Sequence, residues 1–353
     1  MKVGLIIPLN TRIASYITNF ITYFQEHHIE YKTIVWNKLG GEDAADYTFD
    51  FRVKDSNRLL ILIGYIFYIL KCRRIIKKEG IDHLVIFTIA PMFFFGKSFL
   101  TRFKGKFIAD VRDDSPFRRK FPQMLREIGD LSYATTVSSP KYAAWFNRSV
   151  LCHNAEVKSV EESLTYTPQN TKSDVVKIVC AGTMIEEDKN IEIISKMKND
   201  SKVKFTYFGR KNEGEQKIER FVNENGIQNV EFHGEYKKEQ IIDIYRDNAD
   251  LVNILRAKSV VNAEALPNKL YDAAMAGVPI VVFSHNEAIV NYASKYSLGL
   301  ILEDIPNVRE ELLSKYQNFS YDCFETGRIE FLQSVLSDLD KFDKALDGFV
   351  HDT

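Results

Sequence analysis

Cysteine is scarce in this sequence, and its four copies are widely separated. Cys72, Cys152, Cys180 and Cys323 show no paired spacing within the 353 residues. A zinc site needs clustered ligands and a disulfide-stabilised domain needs regularly spaced cysteines, so the pattern favours neither. It is typical of a protein kept in a reducing, cytoplasmic environment.

The sequence also lacks an apolar run long enough to cross a bilayer as a helix. The longest run, 59–70, has 12 residues, whereas a membrane-spanning helix needs about 20. Five basic residues follow it: Lys71, Arg73, Arg74, Lys77 and Lys78. Two interpretations stay open, a core helix with a solvated basic end and a peripheral contact with the inner face of a membrane. The apolar run that opens the sequence is interrupted at Pro8, which favours a buried strand over a signal peptide.

An excess of charge of either sign is absent as well. The chain carries 47 Lys and Arg against 48 Asp and Glu, a formal net charge of -1. No general electrostatic field therefore attracts nucleic acid, and nucleic acid is not an expected partner. The composition, 45% hydrophobic and 27% charged, is that of an ordinary globular protein, and the length favours two domains.

Short apolar runs alternate with helical patterns along the whole chain. Predicted strands are 3–8, 31–36, 83–88, 106–111 and 133–138, then 175–180, 203–207, 230–232, 251–255 and 279–283. This rhythm predicts two Rossmann-like, doubly wound parallel-sheet domains, with ligands at the carboxyl ends of the strands in an interdomain cleft. The predicted boundaries are 1–160, a polar linker at 161–174, a second domain at 175–325 and a closing C-terminal helix at 326–353.

The run from Glu264 to Asp272, Glu-Ala-Leu-Pro-Asn-Lys-Leu-Tyr-Asp, carries the strongest chemical signal. Pro267 suits the first turn of a helix. Lys269 would then lie at the positive end of the helix dipole, where a cation is unfavourable unless an anion binds there. Asp272 follows one turn later on the same face. The run predicts a phosphate site at the helix start, and the alternative is an ordinary Lys–Asp surface pair.

This run resembles the donor-binding segment of retaining GT-B glycosyltransferases of glycosyltransferase family four, including bacterial polysaccharide enzymes with Pro-Asn-Lys-Leu-Tyr-Glu-Tyr-Met-Ala. Glu264 and Asp272 match the family's Glu-x7-Glu pair, with Asp in place of the second Glu. The resemblance implies an α/β, GT-B fold and sugar transfer with retention from a nucleoside-diphosphate sugar to a glycan or lipid-linked acceptor. It places the reaction in bacterial surface polysaccharide synthesis, such as that of a capsule. It implies a catalytic role for Glu264 and donor contacts for Pro267, Asn268, Lys269 and Asp272.

Further donor contacts are predicted after neighbouring strands of the second domain. Gly182 and Thr183 follow its first strand, and Lys189 comes where that loop enters a helix. In the family this loop carries an Arg and a Lys that bind the donor phosphates, and Thr183 stands where the Arg often is. The expected diphosphate clamp is therefore Lys189 with Lys269, helped by Arg256. Gly209, at the end of another strand, is a further candidate.

The turn after strand 230–232 resembles the family's segment near the nucleotide base. The backbone at Gly234 is a candidate for reading a base edge, and Tyr236 for flanking the base. His233 is interpreted as a structural residue of the turn.

In the first domain, the dense charges at Asp110, Arg112 and Asp113 end a strand before Pro116. They resemble the Asp-x-Arg-Asp-x-x-Pro of bacterial polysaccharide glycosyltransferases, which faces the sugar and acceptor. The resemblance implies catalytic roles for Arg112 and Asp113 and an acceptor contact for Asp110. A self-contained ion-pair cluster is the alternative. Asn10 and Thr11, in the first turn, are also candidates for acceptor contacts.

Several motifs are missing. No Asp-x-Asp follows a strand, and no phosphate-binding Gly-x-x-x-x-Gly-Lys or His-Glu-x-x-His occurs. A metal-dependent GT-A enzyme is therefore disfavoured, and no metal or cofactor is expected beyond the nucleotide sugar as co-substrate. Two rival functions stay open, a nucleotide-sugar epimerase and a non-catalytic GT-B partner subunit. Asp272, Thr183 and the missing glycine pair of the first turn favour the second rival.

Overall fold

The chain divides into two compact units. This computed structural model describes residues 1–11, 14–53, 57–168, 172–184, 186–303 and 307–351. Unit 1 comprises Met1–Glu156 and Ser337–Thr353, and unit 2 comprises Val157–Leu336. The boundary thus falls before the expected one at 160/161, because residues 157–164 form a helix of unit 2. Of the expected linker, residues 161–164 are helical and residues 169–171 lie outside the described residues.

Unit 1 contains a parallel sheet of seven strands in the order β3-β2-β1-β4-β5-β6-β7. The strands are β1 Val3–Ile7, β2 Tyr31–Asn37, β3 Tyr47–Asp50, β4 His83–Phe87, β5 Phe107–Val111, β6 Ala134–Val137 and β7 Val150–Leu151. The helices are α1 Thr18–Glu26, α2 Arg58–Glu79, α3 Ile89–Phe95, α4 Lys97–Leu100, α5 Pro116–Lys120, α6 Pro122–Leu131 and α7 Pro140–Ala143.

The first strand of unit 1, β1, is apolar throughout because both of its faces are covered. On β1, Val3, Leu5 and Ile7 belong to one buried cluster and Ile6 to the other. Side chains alternate between the faces of a strand, so a strand buried on both sides favours apolar residues at successive positions. This explains why the sequence shows continuous apolar runs.

Unit 2 contains a second parallel sheet, of six strands in the order β10-β9-β8-β11-β12-β13. The strands are β8 Val176–Ala181, β9 Val203–Phe208, β10 Val230–Phe232, β11 Leu251–Ile254, β12 Ile280–Phe283 and β13 Gly299–Leu302. The helices are α8 Val157–Leu164, α9 Glu187–Lys196, α10 Glu213–Glu224, α11 Ile241–Asn248, α12 Val260–Glu264, α13 Asn268–Ala276, α14 Glu287–Lys295 and α15 Val308–Gln317. The two Rossmann-like parallel sheets confirm the predicted fold class.

The last helix, α16 Tyr321–His351, belongs to both units. It begins before the predicted 326, and its residues from Ser337 onward belong to unit 1. Phe342, Leu346 and Phe349 are fully buried in a core cluster of that unit. The ring of Phe342 lies edge-on to Phe20 of α1, with centroids 4.9 Å apart.

Among the helices of the described ranges, none is both long and apolar enough to cross a membrane.

Candidate functional site

Three glycines bring the backbone together at the carboxyl ends of β8, β9 and β10. The Gly182 N–H donates to the carbonyl of Phe208 at 2.8 Å, and the Gly209 N–H donates to the carbonyl of Gly234 at 2.8 Å. A Cβ on Gly209 would lie only 2.3 Å from the Gly182 oxygen. Gly182 itself has a φ of +100°, which disfavours any other residue. The loop after β8 can therefore approach the next strand only without side chains at these positions.

We expect Gly209→Ala to lower stability by about 1–3 kcal/mol, because the added carbon must displace the Gly182 backbone. It should also abolish the rise in melting temperature produced by any nucleoside-diphosphate sugar that stabilises the wild-type chain. Gly226→Ala is the matched control, since Gly226 has a φ of +59° and no atom within 4 Å of an added Cβ. That variant should lose stability and keep its response to the sugar. An unchanged response in Gly209→Ala would remove Gly209 from the donor site.

Lys269 lies in the first turn of α13, as predicted. Pro267 precedes the helix as its N-cap with no side-chain hydrogen bond, and Gly277 ends the helix at a φ of +73°. A Cβ on Gly182 would lie 4.0 Å from Lys269 Cε and 3.9 Å from Tyr236 Oη. The structure therefore brings together Gly182, Tyr236 and Lys269, which sequence analysis assigned to separate motifs.

The ammonium of Lys269 has neither a hydrogen-bond nor an ion-pair partner among the described residues. Burial lowers its pKa, and the nearby charge of Arg256 lowers it further. The neighbouring Cys180, Asp272 and Glu186 act in the opposite direction. A half-buried cation beside another cation and a helix N-terminus is an arrangement that a bound anion would stabilise.

Asp272 lies one turn further along α13, and no described residue forms a hydrogen bond with its carboxylate. Burial raises the pKa of Asp272 to about 7, against the opposing charges of Lys238 and Lys269. Burial, together with the charge of Asp272, raises the pKa of Tyr236 to about 12. Asp272 and Tyr236 are therefore close neighbours in a polar part of unit 2.

Tyr245 is a member of this group that the sequence did not reveal. It is fully buried in α11, and its hydroxyl has no hydrogen-bond partner among the described residues. Burial raises its pKa, and the charges of Asp272 and Tyr236 act in the same direction. Because the residue belongs to an ordinary amphipathic helix, its spacing predicted only a core position.

Glu186 is a second residue that the sequence analysis missed. It precedes α9 with a φ of +63°, and its carboxylate accepts hydrogen bonds from the Ala257 N–H at 2.8 Å and Asn262 Nδ2 at 2.6 Å. These bonds connect the loop after β8 to the loop after β11, which carries Arg256. An acidic residue at a helix start is common for capping reasons alone, so it gave no distinct signal.

Lys189 occupies a different environment from Lys269. It lies in α9, with Nζ 3.3 Å from the Glu192 carboxylate and 5.2 Å from the ring centroid of Phe283. The two lysines expected to bind one diphosphate therefore differ, because the Lys189 ammonium already pairs with Glu192. Thr183, in the loop before α9, is exposed.

The remaining predicted donor residues also lie in unit 2. Glu264 is the half-buried last residue of α12, whose start is capped by the Ser259 hydroxyl. Asn268 is exposed at the start of α13. Arg256 is half-buried, and its carbonyl oxygen lies 2.8 Å from His285 Nε2.

In unit 1, Asp110 and Arg112 form a buried, internally bonded pair. The guanidinium of Arg112 donates from Nε to Asp110 Oδ2 at 2.6 Å and from Nη2 to Oδ1 at 2.9 Å. Its remaining donors bind the Cys152 carbonyl and thiol and the Asn154 side chain. Although burial opposes it, the charge of Asp110 raises the pKa of Arg112 above its usual value. This is the self-contained cluster that the sequence left open as the alternative to catalytic and acceptor contacts.

Asp113 differs from its neighbours because it is exposed at the carboxyl end of β5. Of the three predicted charged residues, it alone presents its side chain to solvent. Asp114, the next residue, is held by hydrogen bonds from Arg118 and from the Ser115 N–H.

The first turn is also bonded internally. Asn10 is fully buried, donating to Asn37 Oδ1 at 2.6 Å and accepting from the Leu39 N–H at 3.1 Å. Thr11 donates to Asp43 from its hydroxyl at 2.6 Å and from its N–H at 3.0 Å. These bonds fix the turn and bury the Asn10 side chain within unit 1.

The two parallel-sheet units and their strand orders define the GT-B fold, and the cationic helix start lies in the second unit. Residues 176–318 match the family model described as "Glycosyl transferases group 1". Unit 2 thus contains a glycosyltransferase group 1 domain. No curated protein sequence matches the chain.

Solved structures similar to the chain include enzymes of several kinds. A glycosyltransferase from Rickettsia africae ESF-5 has a TM-score of 0.65 at 13% identity, covering 100% of this chain and 99% of that one. Sucrose-phosphate synthase from Thermosynechococcus elongatus has a TM-score of 0.68 at 10% identity and covers 100% of both chains. The UDP-GlcNAc 2-epimerase from Neisseria meningitidis has a TM-score of 0.59 at 12% identity, covering 98% and 99%. At these identities the likeness establishes the fold alone.

Proposed function

We propose that the chain is a glycosyltransferase that moves a hexose from a nucleoside-diphosphate sugar to a hydroxyl of a glycan or lipid-linked acceptor. The reaction would retain the anomeric configuration, need no metal, and serve bacterial surface polysaccharide synthesis in the cytoplasm, at the inner face of the membrane. The group 1 domain in residues 176–318 supports the donor class. The retaining outcome and the pathway follow from the resemblance of the run 264–272.

The observation that carries the proposal is the Lys269 ammonium in the first turn of α13, which no described residue pairs with. An ordinary helix would be more stable with an acid there, so the lysine is explained by a ligand rather than by folding. Backbone N–H groups, Lys269 and Arg256 together would bind a diphosphate and stabilise it as it leaves the sugar. Such electrostatic stabilisation of a leaving group is a common source of catalysis that needs no protein nucleophile.

The surrounding groups fit the rest of a nucleotide sugar. No described residue forms a hydrogen bond with the Asp272 carboxylate, which would accept from ribose hydroxyls. Tyr236 offers a ring edge and a hydroxyl beside the Gly182 backbone. Asp113, exposed in unit 1, is the carboxylate proposed to contact sugar or acceptor hydroxyls.

A thermal-shift panel of nucleoside-diphosphate sugars tests the donor site directly. A donor present at 100 times its Kd should stabilise the chain by about 2.7 kcal/mol. Incubating the stabilising sugar without an acceptor then separates two activities, because an epimerase converts it and a transferase does not. Absence of a shift with every nucleotide sugar would instead favour a partner subunit without donor binding.

We expect the pH dependence of donor binding to follow Asp272. Its pKa of about 7 lies above the usual value for an aspartate, so its charged, accepting form increases as pH rises from 6 to 8. Donor affinity should therefore rise over this interval in the wild type and stay flat in Asp272→Asn. Without donor the sign is opposite: a raised folded-state pKa means that the free energy of unfolding decreases as pH rises between about 4 and 7. Melting curves of both proteins across this range, with and without donor, measure both effects. The same pH dependence in wild type and Asp272→Asn would exclude Asp272 as its cause.

A further inference from the structure

The helix α2 presents apolar side chains to solvent on the face opposite its packing face. Its buried side includes Tyr68, Ile69 and Cys72, which belong to a core cluster of unit 1. The other side carries Leu59 at 68% exposure, Ile66 at 50% and Phe67 at 54%, with Leu62 and Leu70 also exposed. A helix that is apolar all round is usually buried all round. Here the described part of the chain leaves one apolar face uncovered.

Cations continue this face toward the end of the helix. The basic residues of α2 are Arg58, Lys71, Arg73, Arg74, Lys77 and Lys78, and its single acid is Glu79. Glu79 is already bonded to Lys2 and to the Tyr47 hydroxyl. Arg74 and Lys77 are exposed and form no ion pair with any described residue. The face therefore combines an apolar first half with an uncompensated positive second half.

A second group of apolar and basic side chains lies close to α2 in unit 1. The Phe94 ring stacks on Tyr65 of α2 with centroids 5.1 Å apart, and the neighbouring Phe93 contacts Phe121 at 6.1 Å. Phe121 is itself 44% exposed and directly follows the exposed Arg119 and Lys120. Aromatic and basic side chains in this combination are typical of surfaces that bind the interface of a bilayer.

We propose that this face of α2 is a docking surface for an anionic lipid bilayer. The exposed leucines, Ile66 and Phe67 would enter the boundary between headgroups and acyl chains, and Arg74 and Lys77 would bind lipid phosphates. From Leu59 to Lys78 the surface extends roughly 29 Å at 1.5 Å per residue, which suits a helix lying flat on a membrane. Charge complementarity favours lipid over a second copy of the chain. A two-fold contact would set the cations against the same cations or against leucines, and neither compensates them.

The test measures co-sedimentation of the full chain with vesicles of phosphatidylglycerol mixed with phosphatidylcholine, at low salt and without any nucleotide sugar. Wild type should bind these vesicles and bind pure phosphatidylcholine weakly. Phe67→Glu should reduce affinity on the order of 30-fold or more, because an inserted ring is replaced by a charge. Val157→Glu is the matched control, with the same charge change at another exposed apolar helix residue, and should bind as wild type does.

A second pair of variants isolates the electrostatic part. Arg74→Gln with Lys77→Gln should weaken binding to anionic vesicles by about 30-fold, since each cation near the surface contributes about fivefold. Lys196→Gln with Lys198→Gln removes two other exposed cations and should have no comparable effect. Unchanged melting curves would show that all variants fold.

Three results would overturn the proposal. The first is an absence of wild-type binding to anionic vesicles, and the second is equal binding by wild type and Phe67→Glu. The third is a wild-type oligomer that Phe67→Glu converts to a monomer without any vesicle binding, which would make this face a contact between copies. Because no donor is present, failure here leaves the glycosyltransferase assignment intact, and loss of transfer activity leaves the vesicle result intact.

Discussion

Lys269→Met should reduce kcat/KM for the nucleotide sugar by about 10³-fold while leaving the chain folded. The substitution removes the ammonium and replaces the aliphatic stem with an uncharged thioether of similar length. Lys269 has no ion-pair partner among the described residues, so its charge lowers the stability of the protein without donor. Burial and Arg256 lower its pKa, and the helix dipole opposes a cation. The melting temperature without donor should therefore be equal to or above that of the wild type. Steady-state kinetics and thermal unfolding of the same preparation measure both.

Lys196→Met is the control for this variant. Lys196 is an exposed lysine in the last turn of α9, and its removal should leave kcat/KM unchanged. If Lys269→Met retained near wild-type turnover, the diphosphate site at α13 would be refuted. If it lost activity together with a large fall in melting temperature, Lys269 would be a structural residue.

Arg112→Met should lower the free energy of unfolding by about 3–5 kcal/mol. Among the described residues, the Thr136 hydroxyl is then the one remaining side-chain donor to Asp110, which is fully buried. The substitution also removes the hydrogen bonds that hold the Cys152 carbonyl and Asn154. Urea denaturation of wild type and variant gives the difference.

Asp113→Asn tests whether Asp113 contributes to the transfer reaction without contributing to stability. Because Asp113 is exposed, its stability should change by less than about 0.5 kcal/mol, whereas transfer should fall if it contacts the reacting sugar or acceptor. The opposite pattern, a stable Arg112→Met with lost turnover, would support the catalytic role predicted for Arg112. Combining Asp110→Asn with Arg112→Met should recover part of the lost stability, since the isolated buried charge is then gone.

Much of the fold was predictable because buried parallel strands leave continuous apolar runs in the sequence. The runs at 3–8 and 203–207 correspond to β1 and β9. The strands that were missed lie at the edges of the sheets: β3, β7 and β13 have four, two and four residues. For these three strands, pairing with a neighbouring strand decides the element, and local periodicity does not record that pairing.

In the candidate site, the sequence revealed a residue whose charge is unfavourable in its own helix. It did not reveal residues whose environment is set by contacts with distant parts of the chain. Lys269 opposes the dipole of its own helix, and this conflict is visible in the sequence. Asp110 is only two positions from Arg112, but the other two partners, Cys152 and Asn154, are 40 and 42 positions away. No local pattern could show that these donors are also used internally. The same holds for Tyr245, whose buried hydroxyl is placed beside Asp272 only by the folded sheet.

The assignment of α16 to both units has a consequence for the order of folding. Unit 1 is discontinuous, since the side chains of Phe342, Leu346 and Phe349 complete a core begun by Phe20 and its neighbours. A ribosome makes residues 157–336 before it makes these three, so unit 2 can become a finished domain while the first unit still lacks part of its interior. During that interval the apolar surface around Phe20 stays open to water. The order of synthesis therefore lets the unit that starts first be the one whose core is completed last.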